Sequence, residues 1–273
     1  MKVKPFLRWA GGKQKIVSNL LENAPDHDII NNYFEPFLGA GSLFFSNGFN
    51  RGFISDINPE LINSYYQIKI NHKSVYKNLV FFSKKFREDK QFYYQVRKDF
   101  NTQIGKKTII QASRFIFLIH TNYNGMYRLN KKGHYNVPIG KLNPSIPGIK
   151  HLEIVSQKLK NIEIECSGYD SIMSMVKPND FIYLDPPYPP YDWSNQQNQY
   201  TLNKFSREDH EDLFDFATQL DKAGCYVMIS YPNIEFVKDK YEKNWNIEKL
   251  DIFRSISCKK ERRKISELII KNY

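Results

Sequence analysis

The sequence predicts an α/β fold: a doubly wound, mostly parallel sheet interrupted by a helical, basic insert. Three observations carry that expectation. Short apolar runs that read as strands alternate with amphipathic stretches at both ends of the chain. The middle third reads as one helix after another. Charge is also segregated: residues 61–150 hold 17 Lys and Arg against only Glu88, Asp89 and Asp99, a net +14, whereas the rest holds 23 basic and 26 acidic residues. A compositional bias would spread along the chain, so the asymmetry points to a polyanion-binding segment set into a near-neutral body.

Residues 1–60 read as β-turn-α-β, with strands at Asn32–Pro36 and Gly52–Asp56 and a short helix at Ser42–Asn47. An earlier helix starts at about Lys13 and runs to Asn23. In 61–150 the apolar spacing predicts helices at Pro59–Asn71, Val75–Lys85, Phe92–Thr102 and Thr108–Asn122. The last is apolar at Ile109, Ile110, Phe115, Ile116, Phe117 and Ile119, which predicts burial. A hairpin follows, with strands Gly125–Leu129 and His134–Pro138 around an exposed tip, Asn130-Lys131-Lys132-Gly133. Residues 151–273 resume alternation: helices at His151–Lys160, Arg207–Ala223 and Ile234–Tyr241, strands at Ile162–Cys166, Phe181–Asp185, Tyr226–Ser230, Trp245–Phe253 and Glu267–Lys271. No helix separates the last two strands, so they are expected to form an antiparallel pair at one sheet edge. The domains expected are therefore 1–60 with 151–273, and the insert 61–150.

A chain of 273 residues can bury one large core, or one core and a smaller insert. No run approaches the roughly 18 apolar residues of a membrane span, and the basic start Met1–Lys4 is not followed by the apolar core of a signal peptide. Cys166, Cys225 and Cys258 are too few and too scattered for a disulfide framework or a zinc site. The expectation is a cytoplasmic protein with reduced thiols and no metal.

Phe34-Glu35-Pro36-Phe37-Leu38-Gly39-Ala40-Gly41-Ser42 follows a strand and opens a helix. Gly39 and Gly41 would let a ligand approach the main chain, and Asp56, ending the next strand, could accept hydrogen bonds from two ribose hydroxyls. Asp56 read alone is equally a turn or N-cap residue. The full dinucleotide fingerprint is missing, and Glu35-Pro36 lies where a pyrophosphate would need neutral donors. A cationic nucleoside without phosphates, such as S-adenosylmethionine, suits the acidic surroundings better than NAD. Upstream, Arg8-Trp9-Ala10-Gly11-Gly12-Lys13 forms a second glycine turn. Trp9 could pack on the cofactor and Lys13 hold its carboxylate; a core aromatic and a surface lysine are the bland alternative.

Phe181–Leu184 is an apolar strand that delivers Asp185-Pro186-Pro187-Tyr188 to the carboxyl edge of the sheet. An exocyclic adenine nitrogen is a poor nucleophile because its lone pair is delocalised into the ring. Two acceptors, the Asp185 carboxylate and the Pro186 carbonyl, would draw it toward tetrahedral geometry. Successive prolines hold that carbonyl rigidly, and Tyr188 offers a face on which a flipped base can stack. The loop Pro189–Tyr200, with Tyr191 and Trp193, could close over the base or simply be a surface loop.

These motifs, together with Asp56-Ile57-Asn58, Asn122–Gly140 and Arg254-Ser255-Ile256-Ser257, run nearly end to end, and the chain resembles the Dam-type DNA adenine methyltransferases that recognise GATC. The resemblance implies a seven-stranded S-adenosylmethionine-dependent methyltransferase sheet bearing an inserted, hairpin-carrying DNA-recognition domain. It also implies the cofactor positions Trp9, Lys13, Asp56 and Asp185, to which the glycine turn adds Phe37, Gly39 and Gly41; the catalytic set remains Asp185, Pro186, Pro187 and Tyr188. In this family the hairpin matching residues 123–138 enters the major groove. Arg128 matches the guanine contact, a bidentate pairing to O6 and N7, and Met126 and Pro138 match apolar positions at the target bases. Asn124, Tyr127 and Asn136 lie on the same hairpin, and Lys131 and Lys132 suit phosphates. The residues after Tyr188 depart from the family pattern.

The partners expected are double-stranded DNA and, in some genomic settings, a cognate restriction endonuclease, with the enzyme a monomer. Cytosine amino-methylation, adenine methylation at another short site, and a non-catalytic DNA-binding protein on the same fold stay open as alternatives. RNA is disfavoured because the A-form major groove is too narrow for side-chain readout.

Overall fold

Seven strands are seen among residues 3–140, 145–189, 205–255 and 262–273, which the computed structural model describes. They are β1 (Tyr33–Glu35), β2 (Gly52–Ser55), β3 (Ile162–Glu165), β4 (Phe181–Leu184), β5 (Tyr226–Pro232), β6 (Asn246–Ser255) and β7 (Arg262–Lys271). They form one sheet in the order β3-β2-β1-β4-β5-β7-β6. The helices are α1 (Val17–Asn23), α2 (Ser42–Ser46), α3 (Pro59–Glu88), α4 (Phe92–Asn101), α5 (Ile109–Thr121), α6 (Ile149–Leu159), α7 (Arg207–Lys222) and α8 (Glu235–Tyr241). The described residues fall into two compact units, one of 3–14, 38–140 and 145–168, the other of 15–37, 169–189, 205–255 and 262–273.

In the first unit β2 and β3 pair in parallel, from Gly52↔Ile162 to Ser55↔Glu165. Asn58 caps α3 by accepting from the N–H groups of Glu60 (3.1 Å) and Leu61 (3.3 Å), with Pro59 in the first turn. That placement suits proline, whose missing N–H would be unpaired there anyway. The expected break at Asn71 is seen: that residue is non-helical (φ −136°, ψ 26°), and two helical stretches, both counted within α3, meet there across a kink. An apolar stripe lines both stretches: Leu61, Tyr65 and Ile68 before the kink and Val75, Leu79, Phe82 and Phe86 after it are all buried. Burying each such side chain is worth about 1.5–3 kcal/mol. The α5 helix is buried as expected, and Thr108 caps it by accepting from the Gln111 N–H at 3.3 Å.

The hairpin differs from the two regular strands expected. Its arms form no ladder but only the isolated bridges Asn122↔Ile139 and Leu129↔Tyr135, and Tyr123–Gly125 is a 3-10 turn. Backbone groups of Tyr135 and Val137 on the returning arm are satisfied from α4 instead. Tyr93 Oη and Arg97 donate to the Val137 carbonyl (2.8 and 3.2 Å), while Asn101 brackets the backbone of Tyr135 (3.1 and 2.8 Å). A main chain bonded to a helix no longer needs a full ladder.

In the second unit β1, β4 and β5 are parallel neighbours. Every residue of β1 and β4 is buried, as expected for strands covered on both faces. The closing pair is antiparallel as predicted, but β7 pairs with β5 and β6 takes the edge. Edge position fits β6, where Glu248, Lys249 and Asp251 are exposed and discourage further strand addition. The first helix begins at Val17 rather than Lys13, after turns at residues 14–16. In α7 a reciprocal capping box joins Ser206 and Asp209. Two N-terminal donors are thereby satisfied, and those bonds hold the Asp209 carboxyl below its ordinary pKa. Ser206→Ala is expected to destabilise the protein by about 1 kcal/mol, measured by urea titration at pH 7.

Candidate active site

The first unit carries the glycine turns. Gly39 (φ +47°) and Gly41 (φ +64°) adopt left-handed backbone that disfavours any side chain with a Cβ. Space is tight as well: a Cβ on Gly39 would lie 3.2 Å from Trp9 Cδ1, and one on Gly41 3.0 Å from Tyr65 Oη, so those side chains would have to give way. Tyr65 also donates to the Gly39 carbonyl at 3.1 Å. Asp56 stands at the carboxyl end of β2. Its Oδ2 accepts the Gly39 N–H and its Oδ1 the Asn58 N–H, both at 3.0 Å. Burial pushes the Asp56 carboxyl above its ordinary pKa, and the two N–H donors pull it partly back. Asp56 thus does the turn work considered from the sequence and also anchors the glycine turn.

Trp9 is half-buried, stacked on Tyr127 (6.2 Å, 20° between planes) and tilted against Phe115 at 6.0 Å. Lys13 is not a surface lysine: it is 5% exposed, and its Nζ donates to the Gly11 carbonyl at 3.4 Å. An ammonium group buried to that degree requires polar partners.

In the second unit β1 and β4 run parallel in the register Tyr33↔Phe181 and Phe34↔Ile182. The chain therefore leaves both strands at the same carboxyl edge, at Pro36-Phe37 and at Asp185-Pro186. The strand order reverses between β1 and β4, and such switch points are where open α/β sheets bind ligands. Asp185 and Tyr188 are half-buried, Pro186 is buried and Pro187 exposed. Below them Tyr183 Oη and Ser230 Oγ share a hydrogen bond of 2.8 Å, and Tyr33 Oη donates to the buried Glu35 carboxylate at 2.7 Å. Burial raises the Tyr183 phenol well above its ordinary pKa, and the Asp185 charge adds to that, so it stays a neutral hydrogen-bonding group. Phe37 stacks on Tyr169 (5.3 Å, 25°) and meets Phe205 edge-on at 6.0 Å.

On the hairpin, Arg128 Nε donates to Asn136 Oδ1 at 2.8 Å, which holds the guanidinium in one orientation. Asn124 is exposed at φ +59°, a conformation asparagine tolerates better than most residues. Lys131, Lys132 and Pro138 are exposed and Met126 is half-buried. Of the loop Pro189–Tyr200, residues 190–200 lie outside the described residues, as do residues 256–257 of the Arg254–Ser257 motif. Sequence reasoning missed Tyr65, Tyr169, Phe205 and the braces Tyr93, Arg97 and Asn101. A buried tyrosine in a helical stripe looks like core, and a hydrogen bond to a distant carbonyl leaves no mark in the sequence.

The strand order, with β7 reversed beside β5, is that of the S-adenosylmethionine-dependent methyltransferase class. The model of the D12 class of N6 adenine-specific DNA methyltransferases matches residues 9–259, and the chain belongs to that family. It is 39% identical to the Type II methyltransferase M.MjaIII of Methanocaldococcus jannaschii, with both chains covered in full. It is 33% identical to the Type II methyltransferase M1.LlaDCHI of Lactococcus lactis subsp. cremoris, covering 100% of this chain and 96% of that one. A DNA adenine methylase of Haemophilus influenzae is 30% identical over 98% and 93% of the two chains. The protein is accordingly an adenine-specific DNA methyltransferase, whose class implies S-adenosylmethionine as methyl donor. Among the described residues no helix is long and apolar enough to cross a membrane. Gly39→Ala is expected to cost about 1–2 kcal/mol through its left-handed backbone and to displace the indole of Trp9. Thermal unfolding and tryptophan emission read the two effects separately.

Proposed function

We propose that this chain methylates N6 of an adenine flipped out of duplex DNA, within GATC, with Asp185-Pro186-Pro187-Tyr188 as its catalytic motif. The observation that carries the reading is Asp185 placed directly after the buried β4, at the carboxyl edge shared with β1. In this reading Asp185 accepts one N6–H and the Pro186 carbonyl the other, which frees the nitrogen lone pair. Pro187 fixes the turn and Tyr188 stacks on the flipped base. The proton that leaves N6 passes to solvent through the Asp185 carboxylate.

The residues present fit a cationic nucleoside. The cradle at Gly39 and Gly41 disfavours a Cβ, the Asp56 carboxylate is already oriented by two N–H donors, and Lys13 is a buried cation. Trp9, Lys13, Phe37, Gly39, Gly41, Asp56 and Asp185 would hold it, with Asp56 on the ribose and Lys13 on the carboxylate. When bound, S-adenosylmethionine supplies an electrophilic methyl group. Residues 1–60 and 151–273 form the catalytic part, and 61–150 the DNA-recognition part whose +14 charge offsets phosphates. Arg128, steadied by Asn136, reads guanine, with Met126 and Pro138 against the bases, Asn124 and Tyr127 on the same hairpin, and Lys131 and Lys132 on the backbone. Where a restriction endonuclease of the same site accompanies the gene, that enzyme is the functional partner.

Sequencing of modified bases in enzyme-treated, unmethylated plasmid reports base and site together. N6-methyladenine confined to GATC is expected, and methylation at a different short sequence would replace the GATC assignment while leaving the chemistry intact. Asp185→Ala should abolish transfer of radiolabelled methyl groups and retain DNA affinity within a few-fold; normal turnover would remove Asp185 from catalysis. Arg128→Ala should lower discrimination at one guanine by about 1–3 kcal/mol, measured by competition between single-base variants. An equal loss on every sequence would make it a phosphate contact instead.

A further inference from the structure

The Trp9 turn and the hairpin are joined in the first unit by a seam that no requirement of either alone explains. The Ala10 N–H donates to the Gly125 carbonyl at 3.2 Å. Gly125 (φ +65°) lies so close under Arg8 that a Cβ there would sit 2.6 Å from the Arg8 carbonyl oxygen. Beside this backbone seam, Tyr127 stacks with Trp9 (6.2 Å, 20°) and with Tyr135 (5.7 Å, 29°), and meets Phe115 edge-on at 5.8 Å. Tyr135 is itself pinned, its Oη accepting from Asn122 Nδ2 at 2.6 Å and its backbone held by Asn101. The residues that follow Tyr127 and Tyr135 in the chain are Arg128 and Asn136, hydrogen-bonded to one another. One end of the stack is therefore the indole lying against Gly39, and the other end adjoins the base-reading pair. Packed aromatic rings have few alternative arrangements, so a shift of the hairpin must be met by a shift of Trp9.

We propose that Tyr127 is a positioning residue that couples the two substrates: hairpin engagement with DNA sets the pose of Trp9, so cofactor and DNA each tighten the other's binding. The coupling is reciprocal by thermodynamic necessity. It rests on the reading above, in which Trp9 holds the cofactor and the hairpin reads DNA.

The test uses the full chain, sinefungin as a cofactor analogue that cannot transfer a methyl group, and a plasmid free of N6-methyladenine. Calorimetry gives the sinefungin Kd with and without plasmid, and the ratio of the two is the coupling factor. The wild type is expected to show about fivefold or more, Tyr127→Phe to keep that factor, and Tyr127→Leu to fall below about twofold. A purely structural role would weaken both ligands and leave the ratio standing. An unchanged ratio in Tyr127→Leu, or a wild-type ratio of one, overturns the proposal. Should Tyr127→Leu fail to fold by circular dichroism, Tyr127→Met is judged by the same outcomes. Trp9→Leu separates the two levels: if it binds sinefungin like the wild type, the cofactor reading of Trp9 fails, whatever Tyr127 does.

Discussion

The carboxylate of Asp56 accepts the N–H of Gly39 with one oxygen and that of Asn58 with the other, and much of the first unit follows from those two bonds. They fix a left-handed glycine turn to the end of β2, and they set Asn58 to cap α3. Through Tyr65, α3 reaches back to the Gly39 carbonyl, so the turn is held from both its donor and its acceptor side. A half-buried carboxylate whose pKa burial has raised is an expensive way to make a turn. Its cost is understandable if the same oxygens are meant to meet a ligand, which is the role proposed for them.

The second unit solves a different problem, holding a polar edge above an apolar sheet. β1 and β4 are buried throughout, yet they carry Tyr33, Glu35 and Tyr183, whose polar atoms are paired inside the core. Such satisfied groups specify one arrangement rather than add much stability. The Asp185 charge acts on both Tyr33 and Tyr183, so these neutral, paired phenols border the carboxylate. The two prolines after it remove backbone freedom from the other side.

Where the hairpin lacks a β-ladder, it is braced by a helix. The Val137 carbonyl and the Tyr135 backbone bond to Tyr93, Arg97 and Asn101 of α4, and the hairpin's rings join a cluster that extends to Trp9. An arm braced in this way is ordered by the fold itself, and such order lowers the entropy lost on binding a ligand.

By itself the sequence determined the elements and the chemistry that local rules govern. The apolar runs of β4 and β5, the buried stripe of α5, the glycines at 39 and 41 and the Asp-Pro-Pro-Tyr turn are all legible because each depends on neighbours in the chain. The segregated charge likewise needs only counting. Tertiary structure alone decided the hydrogen bonds between distant residues, such as that from Tyr65 to the Gly39 carbonyl. It also decided that β7 rather than β6 pairs with β5, that Lys13 is buried, and that the hairpin leans on α4. The Trp9–Tyr127 stack belongs with these: two aromatic residues more than a hundred positions apart become neighbours only when the glycine turn docks at Gly125. Contacts of that range are chosen by competition among all the surfaces the chain can bury, and no local pattern records the outcome.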